Sequence, residues 1–216
     1  MIVDKAIVVT CPFCGAEKEL LSLRSGNTFR ATIWADAKQL TPMLPTVSCV
    51  QKCLNCGKYF LWYKVKRKRG LCESFETGNL SYHEWKRAYL QFKKDSSLAI
   101  EDKRLVYMGL IQAFNDQYYR GPSPLYYMEE TIPEPEGCKF FVDVVKELIN
   151  FNTWSSPREV LLKAELYREA CLFDECEKTL ASIDIFGSLG KLDRVFFNNI
   201  ESRAKMKISK VFQFEQ

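Results

Sequence analysis

Two short units carry the residues of this chain best suited to chemistry: Cys11-Pro12-Phe13-Cys14-Gly15 and Cys53-Leu54-Asn55-Cys56-Gly57. A CxxC turn brings two sulfurs to one point, and the glycine after it lets the backbone fold around an ion because Gly tolerates positive φ. Two such units are a metal-site signature, and four thiolates match the tetrahedral preference of Zn²⁺ in closed, structural sites. Cys11, Cys14, Cys53 and Cys56 are therefore expected to hold one structural Zn²⁺ per chain. The competing reading is a redox dithiol, which places a single CxxC at a helix start where the dipole lowers one thiol pKa. Two matched units do not look like that. A ribbon of this size has little core and leans on metal to fold, so a chelator is expected to unfold residues 1–70 and leave much of the helical signal.

Other side chains offer less. Cys49 precedes Cys53 by four residues and could reach the same region; its plainer reading is a half-buried strand cysteine packing as a small hydrophobe. Whether it contributes to the site stays open. Cys72, Cys138, Cys171 and Cys176 lie among apolar positions and read as core. Lys64, Lys66, Arg67, Lys68 and Arg69 follow the aromatics Tyr59, Phe60, Trp62 and Tyr63. Bases stack on aromatics while Lys and Arg hold phosphates, so nucleic-acid contact is one reading of this run; a solvated charge run at a domain exit is the other.

Enzyme chemistry lacks its parts. The only histidine, His83, falls early in a capped helix, where a helix-surface role is the plain reading. No Walker-type loop, GxGxxG, GxSxG or HExxH occurs, and a site of four thiolates has no open position for substrate. The chain is expected not to be an enzyme and to take no small-molecule substrate.

The elements that must position the cysteines begin as strands. Ala6 to Thr10 is a short apolar run leading into the first CxxCG, and β-rich stretches at Glu17 to Arg24 and Thr28 to Trp34 flank a Ser25-Gly26-Asn27 turn signal. The prolines of Thr41-Pro42-Met43-Leu44-Pro45 favour an extended connection. Val47 to Val50 approaches the second CxxCG, and Tyr59 to Lys66 leaves it. There a period of two sets Tyr59, Leu61, Tyr63 and Val65 on one face and Phe60 and Trp62 on the other. Strand, knuckle, strand, knuckle, strand is a zinc ribbon, and its 38-residue spacer, Gly15 to Lys52, has room for an extra hairpin or loop.

From Asn79 the period becomes helical. Ser81 and Glu84 form a capping box ahead of a Trp85, Ala88, Tyr89, Phe92 stripe. A second helix is predicted from about Leu98 to Tyr118, stopped by Gly121-Pro122. Residues 121–137 hold four prolines and the acids Glu129, Glu130, Glu134 and Glu136, a connection long enough to be functional or a solvated surface loop. Helix is predicted again over Lys139 to Phe151. Ser156-Pro157-Arg158-Glu159 combines an N-cap, a first-turn proline and a capping-box glutamate, the strongest helix start in the chain. Helices are predicted to about Ala170, from Asp174 to about Ile183, and from Lys191 to about Ile208.

Composition is that of an ordinary globular protein, 47% hydrophobic and 27% charged, with no apolar run approaching the roughly 18 residues of a membrane span. The first ten residues read as a strand and not as a signal peptide, so a cytoplasmic location with reduced or metal-bound cysteines is expected. Residues 1–70 carry 12 Lys and Arg against 4 Asp and Glu, and the remainder 19 against 23. This asymmetry coincides with the change of period. It predicts a zinc ribbon over 1–72 and a helical domain over 73–216.

The pair from Pro157 to Asp184 resembles a tetratricopeptide-type hairpin, with Ala164 and Tyr167 on the first helix and Phe173, Cys176 and Leu180 on the turn and second helix. Val160, Lys163 and Ser188 depart from that pattern, and no second clear copy follows at a 34-residue period, so a generic helical hairpin stands beside it. CPFCG at 11–15, Ser25-Gly26-Asn27-Thr28, Trp34-Ala35-Asp36, Pro42-Met43-Leu44-Pro45 and CLNCG at 53–57, with Phe60 and Trp62, resemble a bacterial family with a zinc-ribbon start and a helical, partly tetratricopeptide-like remainder. That family implies Trp-Ser-Asp-Gly where this chain has Ala35 and Ala37, and it implies no activity. The reading is an α+β protein, a zinc ribbon followed by a helical bundle, acting as a non-catalytic protein-interaction module. The alternative is a nucleic-acid-associated ribbon using residues 64–69.

Overall fold

The apolar run ahead of Cys11 does form a strand. The computed structural model describes residues 2–42, 44, 47–70, 78–120, 138–184 and 189–214. Within them are β1 (Ile2–Val3), β2 (Ile7–Thr10), β3 (Glu17–Leu20), β4 (Leu23–Ser25), β5 (Thr32–Trp34), β6 (Gln39–Leu40), β7 (Val50–Lys52), β8 (Tyr59–Leu61), β9 (Arg67–Arg69) and β10 (Gln213–Phe214). The helices are α1 (Tyr82–Lys93), α2 (Ile100–Tyr118), α3 (Lys139–Phe151), α4 (Pro157–Glu169), α5 (Phe173–Ala181) and α6 (Lys191–Lys205). Small antiparallel sheets and helices together make the chain α+β. The acidic, proline-rich stretch 121–137 and Cys72 lie outside the described residues.

The chain divides into two compact units, Met1–Thr32 with Leu40–Ala113, and Ile33–Gln39 with Phe114–Gln216. The division between these units falls inside α2, whereas charge asymmetry and the change of period place a boundary near residue 72. Polar side chains explain why α1 and most of α2 belong with the strands. Gln91 of α1 behaves as a strand partner, accepting from the Tyr59 N–H at 3.0 Å and donating to the Tyr59 carbonyl at 2.6 Å. Lys52 pairs with Glu84 at 2.8 Å, and Tyr63 donates to Asp102 at 2.7 Å.

In the first unit β2 lies between β3 and β9, and β7 pairs with β8. The alternation predicted through Lys66 stops at Leu61: all three residues of β8 are buried, and Trp62–Lys64 turn as a short 3₁₀ segment. That turn lets the Trp62 N–H reach the Cys49 carbonyl and swings Tyr63 and Lys64 onto Asp102. The capping box of α1 forms as read, with Glu84 N–H on Ser81 Oγ and the Glu84 carboxylate on the Ser81 N–H.

α1 and α2 meet where Gly109 faces Trp85. A Cβ built on Gly109 would stand 2.3 to 2.7 Å from three atoms of the indole ring. Glycine to alanine inside a helix ordinarily stabilises by about 1 kcal/mol, but a buried rigid ring offers no room to yield, and overpacking costs roughly 1–3 kcal/mol. The clash is the larger effect. Gly109→Ala is expected to lower the urea midpoint, and an unchanged or raised midpoint would show that the helices separate freely.

In the second unit α3 buries Phe141, Val144, Val145, Leu148 and Ile149, with Phe140 only partly covered. The α4 start forms its capping box with Pro157 at the first turn. α4 and α5 make an antiparallel pair whose contact includes the fully buried Ala164 and Cys176, with Tyr167 and Phe173 packed partly buried against the same core. α6 ends three residues before the predicted Ile208, because Lys207 takes a positive φ of 55° and the Ile208 N–H returns to the Arg203 carbonyl at 2.9 Å.

The long spacer between the cysteine pairs supplies the segment Ile33–Gln39 to this unit. β10 adds to β5, Gln213 opposite Trp34 and Phe214 opposite Ile33. At the tip Ala37 adopts φ 62°, the conformation for which glycine is the unstrained residue, held by its N–H on the Trp34 carbonyl at 2.9 Å.

Candidate metal centre

Each cysteine pair sits in the same backbone turn. The Cys11 N–H donates to the Ala16 carbonyl at 2.8 Å and the Gly15 N–H to the Cys11 carbonyl at 3.0 Å. Cys53 N–H donates to the Lys58 carbonyl and Gly57 N–H to the Cys53 carbonyl, both at 2.9 Å. Gly15 and Gly57 have φ of 76° and 70°, with nothing within 4 Å of where a Cβ would be. Their requirement is conformational and not steric, as the motif implied.

β2 with β3 frames the first turn and β7 with β8 the second, and the four sulfurs converge between them. All four lie within 4.8 Å of one another. Cys11 and Cys56 sulfurs are 3.7 Å apart and Cys14 and Cys53 sulfurs 3.5 Å apart. A tetrahedron with metal–sulfur bonds of about 2.3 Å has edges of roughly 3.8 Å, so the set fits a four-thiolate ion with shifts of an ångström or less. Its floor is apolar: Val9, Leu20 and Phe60 pack with Cys11 and Cys53.

Hydrogen bonds prepare one ligand for deprotonation. The Asn55 side chain and the Ala16 backbone bring the Cys14 thiol down to about 6. At Cys56 the Lys58 backbone N–H pulls the same way, but desolvation and the neighbouring sulfurs of Cys53, Cys14 and Cys11 carry it up to about 11. Four sulfurs this close cannot all ionise without a compensating cation, and a divalent ion would supply that charge. Cys49 stands outside the four-sulfur group; burial pushes its thiol up to about 11. Cys176 is buried, with its thiol pushed up to about 12, while Cys138 and Cys171 are half-buried.

The basic run does not act as a block. Lys64 is paired with Asp102, and Lys68 reaches Glu17 at 2.8 Å. Burial would raise the Asp102 carboxyl, but hydrogen bonds from Lys64 and Tyr63 outweigh it and hold the pKa below its ordinary value. Lys66, Arg67 and Arg69 are exposed along and beside β9. The aromatics next to them are largely committed to the fold: Tyr59 and Phe60 are buried, Trp62 and Tyr63 half-buried.

Two features escaped the sequence reading. Phe13 and Leu54 sit inside the knuckles at 49% and 78% exposure, with the Lys58 ammonium 4.8 Å from the Phe13 ring centroid. Non-ligand positions of a CxxC turn face outward because both sulfurs face the ion, and that rule was the available signal. The second is a buried polar cluster around Asp36 in the other unit. Asn115 donates to Asp36 and to Glu169, both at 2.9 Å; Arg120 pairs with Asp36 and Asp116, and Lys38 also with Asp116. Arg168 grips Glu165 through two bonds of 2.8 and 2.6 Å and donates to the carbonyls of Ile208 and Lys210. Glu165 with Arg168 and Asp116 with Arg120 stand at helical spacing, but no pattern of spacing links Asp36 to Asn115 and Arg120, so the sequence held no signal for the cluster itself.

No protein-family model, curated protein or solved structure matches this chain. Among the described residues no helix is long and apolar enough to cross a membrane.

Proposed function

We propose that Cys11, Cys14, Cys53 and Cys56 bind one structural Zn²⁺ per chain as a zinc ribbon, and that this ribbon is a non-catalytic platform for binding another protein. The convergence of four sulfurs within 4.8 Å carries the metal part of the reading. Thiolate donors select zinc over hard cations, and four of them leave no coordination position for a substrate. The platform part is supported by Phe13 and Leu54, large apolar side chains held outward by the turns that hold the sulfurs. Apolar anchors on a rigid support bind with little ordering cost. The α4 and α5 hairpin, tetratricopeptide-like in its small and aromatic positions, offers a second helical surface of the kind that peptides dock on.

Metal analysis of the purified chain tests the first part: one zinc per chain is expected, and none overturns it. The double variant Phe13→Ser, Leu54→Ser tests the second, with zinc content unchanged and capture of a protein partner lost. Retained capture would move the interaction to the helices. The nucleic-acid alternative draws on Lys66, Arg67 and Arg69, since Lys64 and Lys68 have acidic partners within the fold. Binding to single- or double-stranded nucleic acid that collapses as salt rises would favour it.

A further inference from the structure

We propose that Cys14 is a hydroperoxide-reactive site resolved by Cys53, and that full oxidation closes the cluster crosswise, as Cys14–Cys53 and Cys11–Cys56 disulfides joining the two knuckles. The inference rests on the metal reading, because it concerns what the four ligands do when the ion leaves. It is carried by an asymmetry in the cluster. Cys14 is exposed, Cys11 and Cys53 are buried, and Cys56 is intermediate. A peroxide arriving from solvent meets the Cys14 sulfur first.

The resolving partner is already in place. Cys53, 3.5 Å from Cys14, is in contact across the knuckles, as is Cys56 with Cys11 at 3.7 Å. An open cleft of about 300 Å³ beside the cluster is lined by Cys11 and Cys53 together with Leu54, Asn55 and Phe60, so water and small peroxides come close to both buried cysteines as well.

The chemistry balances with hydrogen peroxide as the oxidant. Cys14 thiolate attacks one peroxide oxygen; the O–O bond breaks, the sulfur becomes a sulfenic acid, and the departing hydroxide takes a proton to leave as water. Cys53 thiolate then attacks that sulfur; an S–S bond forms, the S–O bond breaks, and a second hydroxide is protonated to water. Two thiolates are oxidised and one peroxide reduced. A second peroxide does the same for Cys11 and Cys56, and the zinc leaves once its ligands are consumed.

Crosswise closure has a consequence that closure within each CxxC lacks. It ties β2 and β3 to β7 and β8 through bridges spanning 39 and 45 positions of chain, taking over the clamp the ion provided. Long loops closed this way constrain the unfolded chain most. The oxidised protein is then metal-free but still folded. Chelation of the reduced protein has the opposite outcome.

The test treats the zinc-loaded full chain with hydrogen peroxide and follows zinc release with a chromogenic chelator, disulfide connectivity by peptide mass mapping, and thermal melting. Expected are two peroxides consumed per zinc released, bridges at 14–53 and 11–56, and a melting transition kept in chelator until a dithiol reductant is added. Bridges within the knuckles, 11–14 and 53–56, would overturn the proposal, as would intact thiols and bound zinc in excess peroxide. A sulfenic-acid trap applied early should label Cys14 before Cys11; first labelling at Cys49 would also sink it. Zinc is measured before peroxide is added, so a failed metal reading shows as its absence then, while the mapping still decides the connectivity.

Discussion

Chelation of the reduced protein is expected to abolish the strand signal of the first unit and part of the helical signal with it. The two β pairs that carry the knuckles are short, three or four residues each, and their shared core is small: Val9, Leu20 and Phe60 with two of the ligands themselves. Structural zinc contributes on the order of 10–16 kcal/mol in small thiolate domains, whereas whole domains are stable by only about 5–15 kcal/mol. Loss of the ion therefore exceeds what the rest of the unit can supply. Tyr59 and Lys52 are tied to α1 through Gln91 and Glu84, so α1 should lose protection too. Hydrogen exchange reads this directly: amides of residues 7–32, of 47–61 and of α1 should exchange freely in chelator, while those of 33–39 and of α4 to α6 stay protected. Cys53→Ser, at a buried ligand, should reproduce the effect without chelator. Unchanged exchange and melting in chelator would remove the metal from the account.

How much of this was legible in the sequence depends on how local each cause is. The knuckles were readable because CxxCG encodes its own turn: Gly15 and Gly57 take the positive φ the motif requires, and the sulfurs follow. Helix starts were readable for the same reason, since Ser81 with Glu84 and Ser156 with Glu159 are caps three residues across. The end of β8 was not. Tyr63 continues the alternation, but its hydroxyl bonds to Asp102 some forty positions away, and that bond turns the strand aside. The spacer's share in the second unit was equally hidden. Asp36 reads as a turn acid, and only the fold brings Asn115 and Arg120 onto it. Local chemistry was therefore enough to single out the four cysteines that converge, while the unit boundary inside α2 follows from contacts between residues distant in the chain.

Glu169→Gln is expected to stabilise the second unit at neutral and alkaline pH, an uncommon sign for a buried substitution. Glu169 is 5% exposed, and burial, with Glu165 and then Asp36 nearby, raises its carboxyl well above the ordinary value; the attraction of Arg168 and the hydrogen bond from Asn115 do not compensate. The ion pairs explain why. Arg168 is committed to Glu165, Arg120 to Asp36 and Asp116, and Lys38 to Asp116, so the named cations and anions balance only if Glu169 keeps its proton. A folded state that holds a proton the unfolded chain releases is at full stability below the unfolded pKa, near 4.5. It then loses about 1.4 kcal/mol for each pH unit until the folded carboxyl ionises. Glutamine removes that slope. It also keeps a donor where the protonated acid has one: Glu169 Oε1 and Asn115 Oδ1 are buried without hydrogen-bond partners among the described residues, and a glutamine amide, like the neutral acid, both donates and accepts there. Urea midpoints of the second unit at pH 5, 6, 7 and 8 should fall steadily in the parent and stay level in the variant, the gap widening with pH. A gap that is constant, or a variant that is less stable at pH 8, would show that Glu169 is ionised in the fold and that the charge balance is struck by another group.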